Sequence, residues 1–164
     1  MHLPYCPGMT FEAGRFHTLL GPPSCLEALV SEPTVARFSA VCIRPVSSVL
    51  TGHSAGWGYR CRFVRVRNVR NLFQVLAGAR EPLVILEYAP SLFEGDGVAL
   101  RTLAHHLRAR SSCAMVILYA SHPTPSFDRF ARLADRSFAV FQTSTVTTAG
   151  QRMIPPGQTQ LSLV

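Results

Sequence analysis

The sequence predicts a single α/β domain, a three-layer sandwich in which helices cover both faces of a mostly parallel sheet. Strand-like and helix-like segments alternate along the chain, which is typical of strand–helix–strand units. Two strand segments, 82–87 and 114–119, are apolar without alternation, as expected for strands covered on both faces. With 164 residues and 48% hydrophobic content, the chain has length for one buried core. We expect one domain over residues 1–164, with 1–10 as a flexible or partner-docking arm.

The first predicted strand, 16–20, is apolar and runs into a loop that begins at Gly21. Ser24 and Glu27 then match the S-x-x-E capping box, in which each side chain bonds the backbone amide of the other residue. This pattern predicts a short helix over 25–31, ended by the proline two residues later.

Two further strands are predicted at 38–43 and 59–67, joined by a Ser- and Gly-rich connection. Alternation in the second places Arg65 and Arg67 on one face and valines on the other. Positive charge is densest here, and its members are Arg60, Arg62, Arg65, Arg67 and Arg70. Such a segment is either an edge strand whose charge prevents pairing with other chains or a patch that follows a phosphate backbone.

Two amphipathic helices are predicted in the centre of the chain. The first follows a cap at Asn68 and ends at Gly78. The second contains 100–107 and turns its charged side chains to solvent. Its adjacent His105 and His106 point in different directions on a helix, so we expect solvated histidines there and no metal site.

The last part of the chain is predicted to hold a basic helix, a strand and a closing antiparallel hairpin. The predicted ranges are 127–133 for the helix, 137–142 for the strand, and 152–154 and 158–163 for the arms of the hairpin. Ligands of such sheets bind at the carboxyl ends of the strands, which is where Gly21, Glu87 and Ser121 are expected.

The loop after the first strand has the frame of a phosphate-binding loop without its chemistry. In G-x-x-x-x-G-K-[ST], backbone amides cradle phosphate, Lys supplies positive charge and the hydroxyl binds magnesium. Here Glu27 stands at the Lys position, where it would repel phosphate, and we expect it to cap its own helix instead. The degenerate loop comprises Gly21, Pro22, Pro23, Ser24, Cys25, Leu26, Glu27 and Ala28.

The composition is basic, with a formal net charge of +7, and all 16 basic residues are Arg. Nucleic acid and acidic proteins are therefore both plausible partners. The five cysteines are scattered and form no C-x-x-C pair, which predicts free thiols of a reducing compartment and no structural metal. With no signal-peptide pattern and no apolar run near eighteen residues, we expect a soluble intracellular protein, cytoplasmic or, in a eukaryote, nuclear, without membrane contact.

Several motifs follow one another in a fixed order over about residues 8–164: a Glu-x-Gly turn at 12–14, Gly-Pro-Pro at 21–23, LVILE at 83–87, MVIL at 115–118 and LADRSF at 133–138. This succession resembles the ATPase core of RecA-type recombinases, most closely the archaeal RadA and KaiC-like branch and its recombinase paralogues. The resemblance implies a RecA-like sheet. It also implies that Glu87 stands where the family has an acid on the magnesium shell.

Other positions depart from that family. Glu27 and Ala28 replace the Lys and the hydroxyl residue, and 44–47 lacks the carboxylate that polarises the attacking water. Since phosphoryl transfer depends on positioning and charge neutralisation, we expect no catalytic residue and no binding of ATP or magnesium. The family's DNA-contacting loop corresponds to 121–129, with His122 and Arg129 as its polar contacts.

These observations predict a non-catalytic recombination or repair accessory protein that pairs with another RecA-like paralogue or recombinase subunit and supports binding of single-stranded or branched DNA. The expected DNA contacts are Arg60, Arg62, Arg65, Arg67, Arg70, His122, Arg129 and Arg132. One alternative is a protein-interaction module that uses the strand arginines on an acidic partner. Others are an ATPase in which Glu87 holds magnesium and Arg44 replaces the Lys, and an enzyme with Cys25 as nucleophile at a helix N-terminus.

Overall fold

A parallel sheet forms the centre of the protein. This architecture comes from a computed structural model that describes residues 2–3, 6–32, 35–48, 60–93, 97–142 and 158–163. The strands are β1 (His2–Leu3), β2 (Cys6–Thr10), β3 (Phe16–Leu20), β4 (Ala40–Pro45), β5 (Cys61–Val66), β6 (Leu83–Glu87), β7 (Met115–Ala120), β8 (Arg136–Gln142) and β9 (Gln158–Leu163). The helices are α1 (Pro23–Ser31), α2 (Val69–Gly78), α3 (Gly97–Ser111) and α4 (Pro125–Leu133), with a 3-10 turn at Pro90–Leu92.

Seven of the described strands form the sheet in the order β5-β4-β6-β7-β3-β8-β9. Every neighbouring pair in it is parallel. The predicted α/β class and mostly parallel sheet are therefore confirmed. β1 and β2, which the sequence did not predict, form a separate antiparallel pair.

The predicted antiparallel hairpin at the C-terminus is not observed. β9 was placed correctly in the sequence, but it pairs in parallel with β8, with Ser137 aligned to Gln158 and Gln142 to Leu163. The other predicted arm, 152–154, lies outside the described residues. The pairing partner of a strand is a tertiary choice, which a local turn pattern does not fix.

Helices cover both faces of the sheet and bury two separate apolar clusters. On one face, Leu26 and Leu29 of α1 pack with Leu83 and Ile85 of β6. On the other face, residues of α2, α3 and α4 pack with Val84 and the remaining alternate strand residues. We call these the α1 face and the α2–α4 face. Because strand side chains alternate, each strand contributes to both clusters.

The start of α1 corrects one prediction. The helix begins at Pro23, its N-cap is Pro22, and no side chain makes a capping hydrogen bond there. Ser24 is therefore the second helical residue and Glu27 the fifth, too far along to form the predicted capping box. Proline is favoured at the first helical position because its fixed φ suits the helix and its missing N–H needs no partner.

The other local signals perform better. The side chain of Asn68 caps α2 by accepting a hydrogen bond from the amide of Asn71, and α2 ends at Gly78, both as predicted. In α4 the cap is Thr124, so the helix begins two residues before the predicted start. Within the described ranges, none of the helices combines the length and apolar character needed to cross a membrane.

The connections position a crevice at the carboxyl edge of the sheet. The chain leaves β3 through α1 on one face, whereas it leaves the neighbouring β7 through α4 on the other face. Loops that diverge in this way open a crevice beyond the carboxyl ends of the two strands. Gly21 and Ser121 follow these strands, and Glu87 ends β6 on the other side of β7. The prediction that these three residues share one edge is confirmed.

Candidate functional site: the carboxyl edge of the sheet

The loop after β3 has few free amides with which to bind phosphate. The N–H of Gly21 donates to the carbonyl of Ala120 at 3.0 Å, and the N–H of Cys25 donates to the carbonyl of Pro22 at 3.0 Å. Pro22 and Pro23 carry no N–H at all. A phosphate nest depends on successive N–H groups that point at the ligand, and this loop does not present them.

Gly21 is required by close packing. A Cβ at this position would lie 3.1 Å from Cβ and 3.2 Å from the carbonyl oxygen of Val140 in β8, and 3.6 Å from Sγ of Cys25. The backbone of the loop therefore lies directly against β8 and the first turn of α1. This contact gives the glycine a structural reason that is independent of any phosphate.

The buried side chain of Tyr119 contacts the same loop through a hydrogen bond. Its hydroxyl donates a hydrogen bond of 2.9 Å to the carbonyl oxygen of Gly21. Burial raises the pKa of Tyr119, and the nearby Glu87, Cys25 and Glu27 raise it further. The phenol therefore stays protonated and remains a hydrogen-bond donor.

Three polar side chains form a row across the carboxyl edge on the α1 face. In the register of the sheet Glu87 is aligned with Tyr119, and Ile43 is aligned with Leu86, which brings Arg44 beside Glu87. All three continue the alternate positions that face α1. We call Arg44, Glu87 and Tyr119 the carboxyl-edge row.

The two charged members of the row are buried, with 6% exposure for Arg44 and 5% for Glu87. The hydroxyl of Ser48, in the loop after β4, donates a hydrogen bond to Oε2 of Glu87. The guanidinium of Arg44 lies over the ring of Phe63, 4.5 Å from its centroid. Opposite charges side by side, a hydroxyl donor and an aromatic face make burial of both groups tolerable.

The carboxylate of Glu87 already interacts with groups of the protein. Its Oε2 accepts a hydrogen bond, and the neighbouring Arg44 adds positive charge to the same place. In the parts of the chain that the structure describes, no group of three or more His, Cys, Asp or Glu side chains is arranged to hold a metal ion.

The crevice between the loops after β3 and β7 has a volume of about 320 Å³. Its lining residues include Gly21, three prolines (Pro22, Pro23 and Pro123), Ser121 and His122. The hydroxyl of Ser121 lies 2.9 Å from Nδ1 of the exposed His122. The polar groups that line the crevice are few, in keeping with its poor supply of amides.

No protein-family model and no curated protein sequence matches this chain.

The residues predicted to contact DNA are all exposed, but they lie in four places. They are Arg60, Arg62, Arg65, Arg67, Arg70, His122, Arg129 and Arg132. Each of the four places must therefore be considered as a separate surface.

The first group lies at the carboxyl end of β5, which is an edge strand of the sheet. It consists of Arg65, Arg67 and Arg70, and Val64 and Val66 point to the opposite face from Arg65, as predicted. His122 lies at the same edge but follows β7, three strands away, a separation of about 14 Å. These residues could share a ligand only if it extended along the edge.

The other two groups lie elsewhere. Arg60 and Arg62 are at the amino end of β5, at the edge of the sheet opposite to the carboxyl edge that holds Gly21. Arg62 is paired with Glu81, and Nη1 of Arg60 donates to the carbonyl of Arg37. Arg129 and Arg132 lie on α4.

Four thiols of the described region differ in exposure. Cys25 and Cys42 are buried, Cys61 is half-buried and Cys113 is exposed, and none of the four forms a disulfide. Burial raises the pKa of Cys42, and it raises the pKa of Cys61 to about 11. Cys25 is buried against Gly21, which places its sulfur inside the protein and away from the position that a nucleophile would need.

The sequence did not reveal two polar side chains of this edge. Ser48 and Tyr119 gave no motif, because their roles depend on which strands are neighbours. The poverty of amides in the loop could have been found, since Pro22 and Pro23 are visible in the sequence and proline has no N–H.

Proposed function

We propose that this chain is a non-catalytic RecA-like accessory protein, similar to recombinase paralogues, that pairs with another RecA-like subunit and supports DNA binding in recombination or repair. The observation that carries the non-catalytic part is the loop after β3. Its Gly21 and Cys25 amides are bonded within the protein, and Pro22 and Pro23 have none.

The rest of the carboxyl edge supports the same proposal. Glu87 is in the place that the resemblance implies for an acid on the magnesium shell, yet it accepts a hydrogen bond from Ser48 and lies beside Arg44. Phosphoryl transfer needs the charge of the nucleotide to be neutralised and its phosphates to be positioned. In this chain the side chains of Ser48 and Arg44 surround the carboxylate that would help to position the phosphates.

The DNA-binding part rests on charge. The chain has a formal net charge of +7, and exposed arginines lie on more than one surface. Labelled single-stranded, double-stranded and branched DNA should be titrated at about 50 and about 200 mM salt. We expect binding at low salt that weakens steeply at high salt, and absence of binding at low salt would exclude this part of the proposal.

The pairing part needs a separate experiment. A tagged chain should be purified from its own cells, and the proteins that remain bound identified by mass spectrometry. We expect a RecA-like subunit in stoichiometric amount. Recovery of the chain alone at matched expression would contradict the pairing.

One observation favours a second candidate, a protein-interaction module without DNA binding. Arg65, Arg67 and Arg70 are exposed along an edge strand, where they could meet an acidic partner surface. Replacement of all three by Glu separates the two functions. Unchanged DNA affinity together with loss of the partner would favour the second candidate.

A further inference from the structure

A basic cleft opens at the amino ends of β4, β5 and β6, opposite the carboxyl edge that holds Gly21. It has a volume of about 610 Å³. We define the amino-end cleft by six of its lining residues, which are Arg37, Phe38, Arg60, Arg62, Glu81 and Pro82. The volume lies within the range of about 300–1,000 Å³ that is usual for ligand sites.

Positive side chains outnumber negative ones in the described lining of the amino-end cleft. Glu81 pairs with Arg62 through Nε at 2.8 Å and Nη2 at 2.7 Å. Partial burial acts to raise the pKa of Glu81, but hydrogen bonds from backbone amides and from Arg62 outweigh it and lower that pKa. Glu81 therefore stays charged and is matched by Arg62. Among the described residues that line the cleft, Glu81 is the one carboxylate, so Arg37 and Arg60 add positive charge beyond that pair.

The backbone holds these two arginines in fixed relative positions. Nη1 of Arg60 donates to the carbonyl of Arg37 at 2.7 Å, and the carbonyl of Arg60 accepts from the amide of Ala40 at 2.9 Å. A guanidinium has five N–H donors, so Arg60 keeps others for a ligand. The side chain of Arg37 is exposed.

Phe38 lines the same cleft as the two arginines and is 49% exposed. Among the described residues, the other exposed large hydrophobic side chains are aliphatic: Val46, Val98 and Leu133. An exposed aromatic ring beside arginines is the combination with which proteins bind single-stranded nucleic acid, because the ring stacks on a base and the cations contact phosphates. The sequence hid this combination, since Phe38 and Arg60 belong to segments more than twenty residues apart.

We propose that the amino-end cleft binds single-stranded nucleic acid, with Arg37 and Arg60 on phosphates and Phe38 stacked on a base. The inference rests on the proposed function and assigns its DNA contact to a particular surface, which is not the carboxyl edge. A base inside a duplex is already stacked on both sides and cannot reach Phe38. An acidic peptide would use the arginines but would gain little from the ring.

The test is fluorescence anisotropy of a labelled oligothymidine of about 16 nucleotides, measured from about 50 to 200 mM salt. The Arg37→Ala/Arg60→Ala double variant should bind more weakly and should reduce the slope of log K against log salt by about 1.4. Phe38→Ala should weaken binding about 5- to 150-fold with the slope unchanged. The Phe38→Trp variant should bind with about the affinity of the wild type, because tryptophan also provides a ring for stacking.

Matched controls lie on α3. Val98 is 64% exposed and Arg101 is exposed, so Val98→Ala removes an exposed apolar side chain and Arg101→Ala an exposed arginine away from the cleft, and both should leave the affinity unaltered. Since the Arg37, Phe38 and Arg60 side chains are all exposed, circular dichroism should show the wild-type fold in every variant.

The outcomes separate this inference from the proposed function. If the wild-type chain binds DNA and only the Arg65, Arg67 and Arg70 substitutions weaken it, the cleft assignment is wrong while the proposed function stands. If the wild-type chain binds no DNA at low salt, both are wrong. If polyglutamate displaces the oligonucleotide and Phe38→Ala has no effect, the cleft is a general acidic-ligand surface and the inference is overturned.

Discussion

Ser48 donates a hydrogen bond to the carboxylate of Glu87, and both side chains are buried at the carboxyl edge of the sheet. The bond joins the loop after β4 to the end of β6, two neighbouring strands. It occupies one oxygen of a buried carboxylate. The carboxylate of Glu87 therefore helps to hold the ends of these two strands together.

We expect Ser48→Ala to lower the free energy of unfolding by about 1.5–3 kcal/mol, because a buried carboxylate loses a hydroxyl donor. Urea unfolding followed by circular dichroism measures this change. The adjacent Ser47 is exposed, and Ser47→Ala should shift the free energy by no more than about 0.5 kcal/mol. Equal effects of the two substitutions would mean that the bond to Glu87 contributes nothing.

Tyr119→Phe removes only the hydroxyl that donates to the carbonyl of Gly21. We expect the variant to be less stable by about 1–3 kcal/mol, since a buried carbonyl loses its partner. The same urea experiment measures this difference. A variant as stable as the wild type would show that the loop after β3 does not depend on Tyr119.

Two glycines provide a matched pair of substitutions. Gly21→Ala would place a Cβ 3.1 Å from Cβ of Val140, whereas Gly78→Ala meets nothing within 4 Å. We expect Gly21→Ala to destabilise the protein by about 1–3 kcal/mol through overpacking. Gly78→Ala, at the end of α2, should stabilise it by about 0.4–1 kcal/mol, because the unfolded chain loses freedom. Thermal unfolding of both variants should give shifts of opposite sign, and shifts of the same sign would contradict this expectation.

His17 should make stability depend on pH. It is fully buried in β3, and this burial lowers its pKa below 6.5. A hydrogen bond with the backbone of Glu12 and the nearby carboxylates of Asp135 and Glu12 act to raise the pKa but do not outweigh burial. The nearby Arg136 lowers the pKa further. The unfolded chain therefore binds more protons than the folded protein below about pH 6.5. The stability contributed by neutral His17 is complete above that pH and is lost as the pH falls toward the lower folded pKa.

His17→Gln tests this effect. Urea midpoints at about pH 7.5 and about pH 5 should differ more in the wild type than in the variant. His122→Gln, on an exposed residue, is the control and should keep the full pH dependence of the wild type. An equal pH dependence in the wild type and His17→Gln would rule out His17 as its source.

Local patterns in the sequence predicted most of the elements. The unalternating runs that became β6 and β7 and the cap at Asn68 act over a few residues, so the sequence is enough to find them. At the start of α1 two local signals competed, and Pro23 at the first helical position prevailed over the Ser24 and Glu27 pattern. The direction of β9 could not be found locally, because it depends on pairing with β8.

The sites depend still more on tertiary neighbours. Arg44 follows one predicted strand and Glu87 ends another, but only the order of strands makes them adjacent. In the same way, the predicted stretch of arginines along β5 divides between the two edges of the sheet, because a strand carries its first and last residues to opposite ends. The cleft around Phe38 arises where separate loops meet.

Calorimetric titration of ATP with magnesium into the purified protein tests most directly whether the protein's own groups occupy the carboxyl edge. We expect no heat of binding. The amides of Gly21 and Cys25 already donate hydrogen bonds to carbonyls of the protein, and Glu87 accepts a hydrogen bond from Ser48. A stoichiometric isotherm that disappears in Glu87→Ala would contradict this expectation and would show a working nucleotide site.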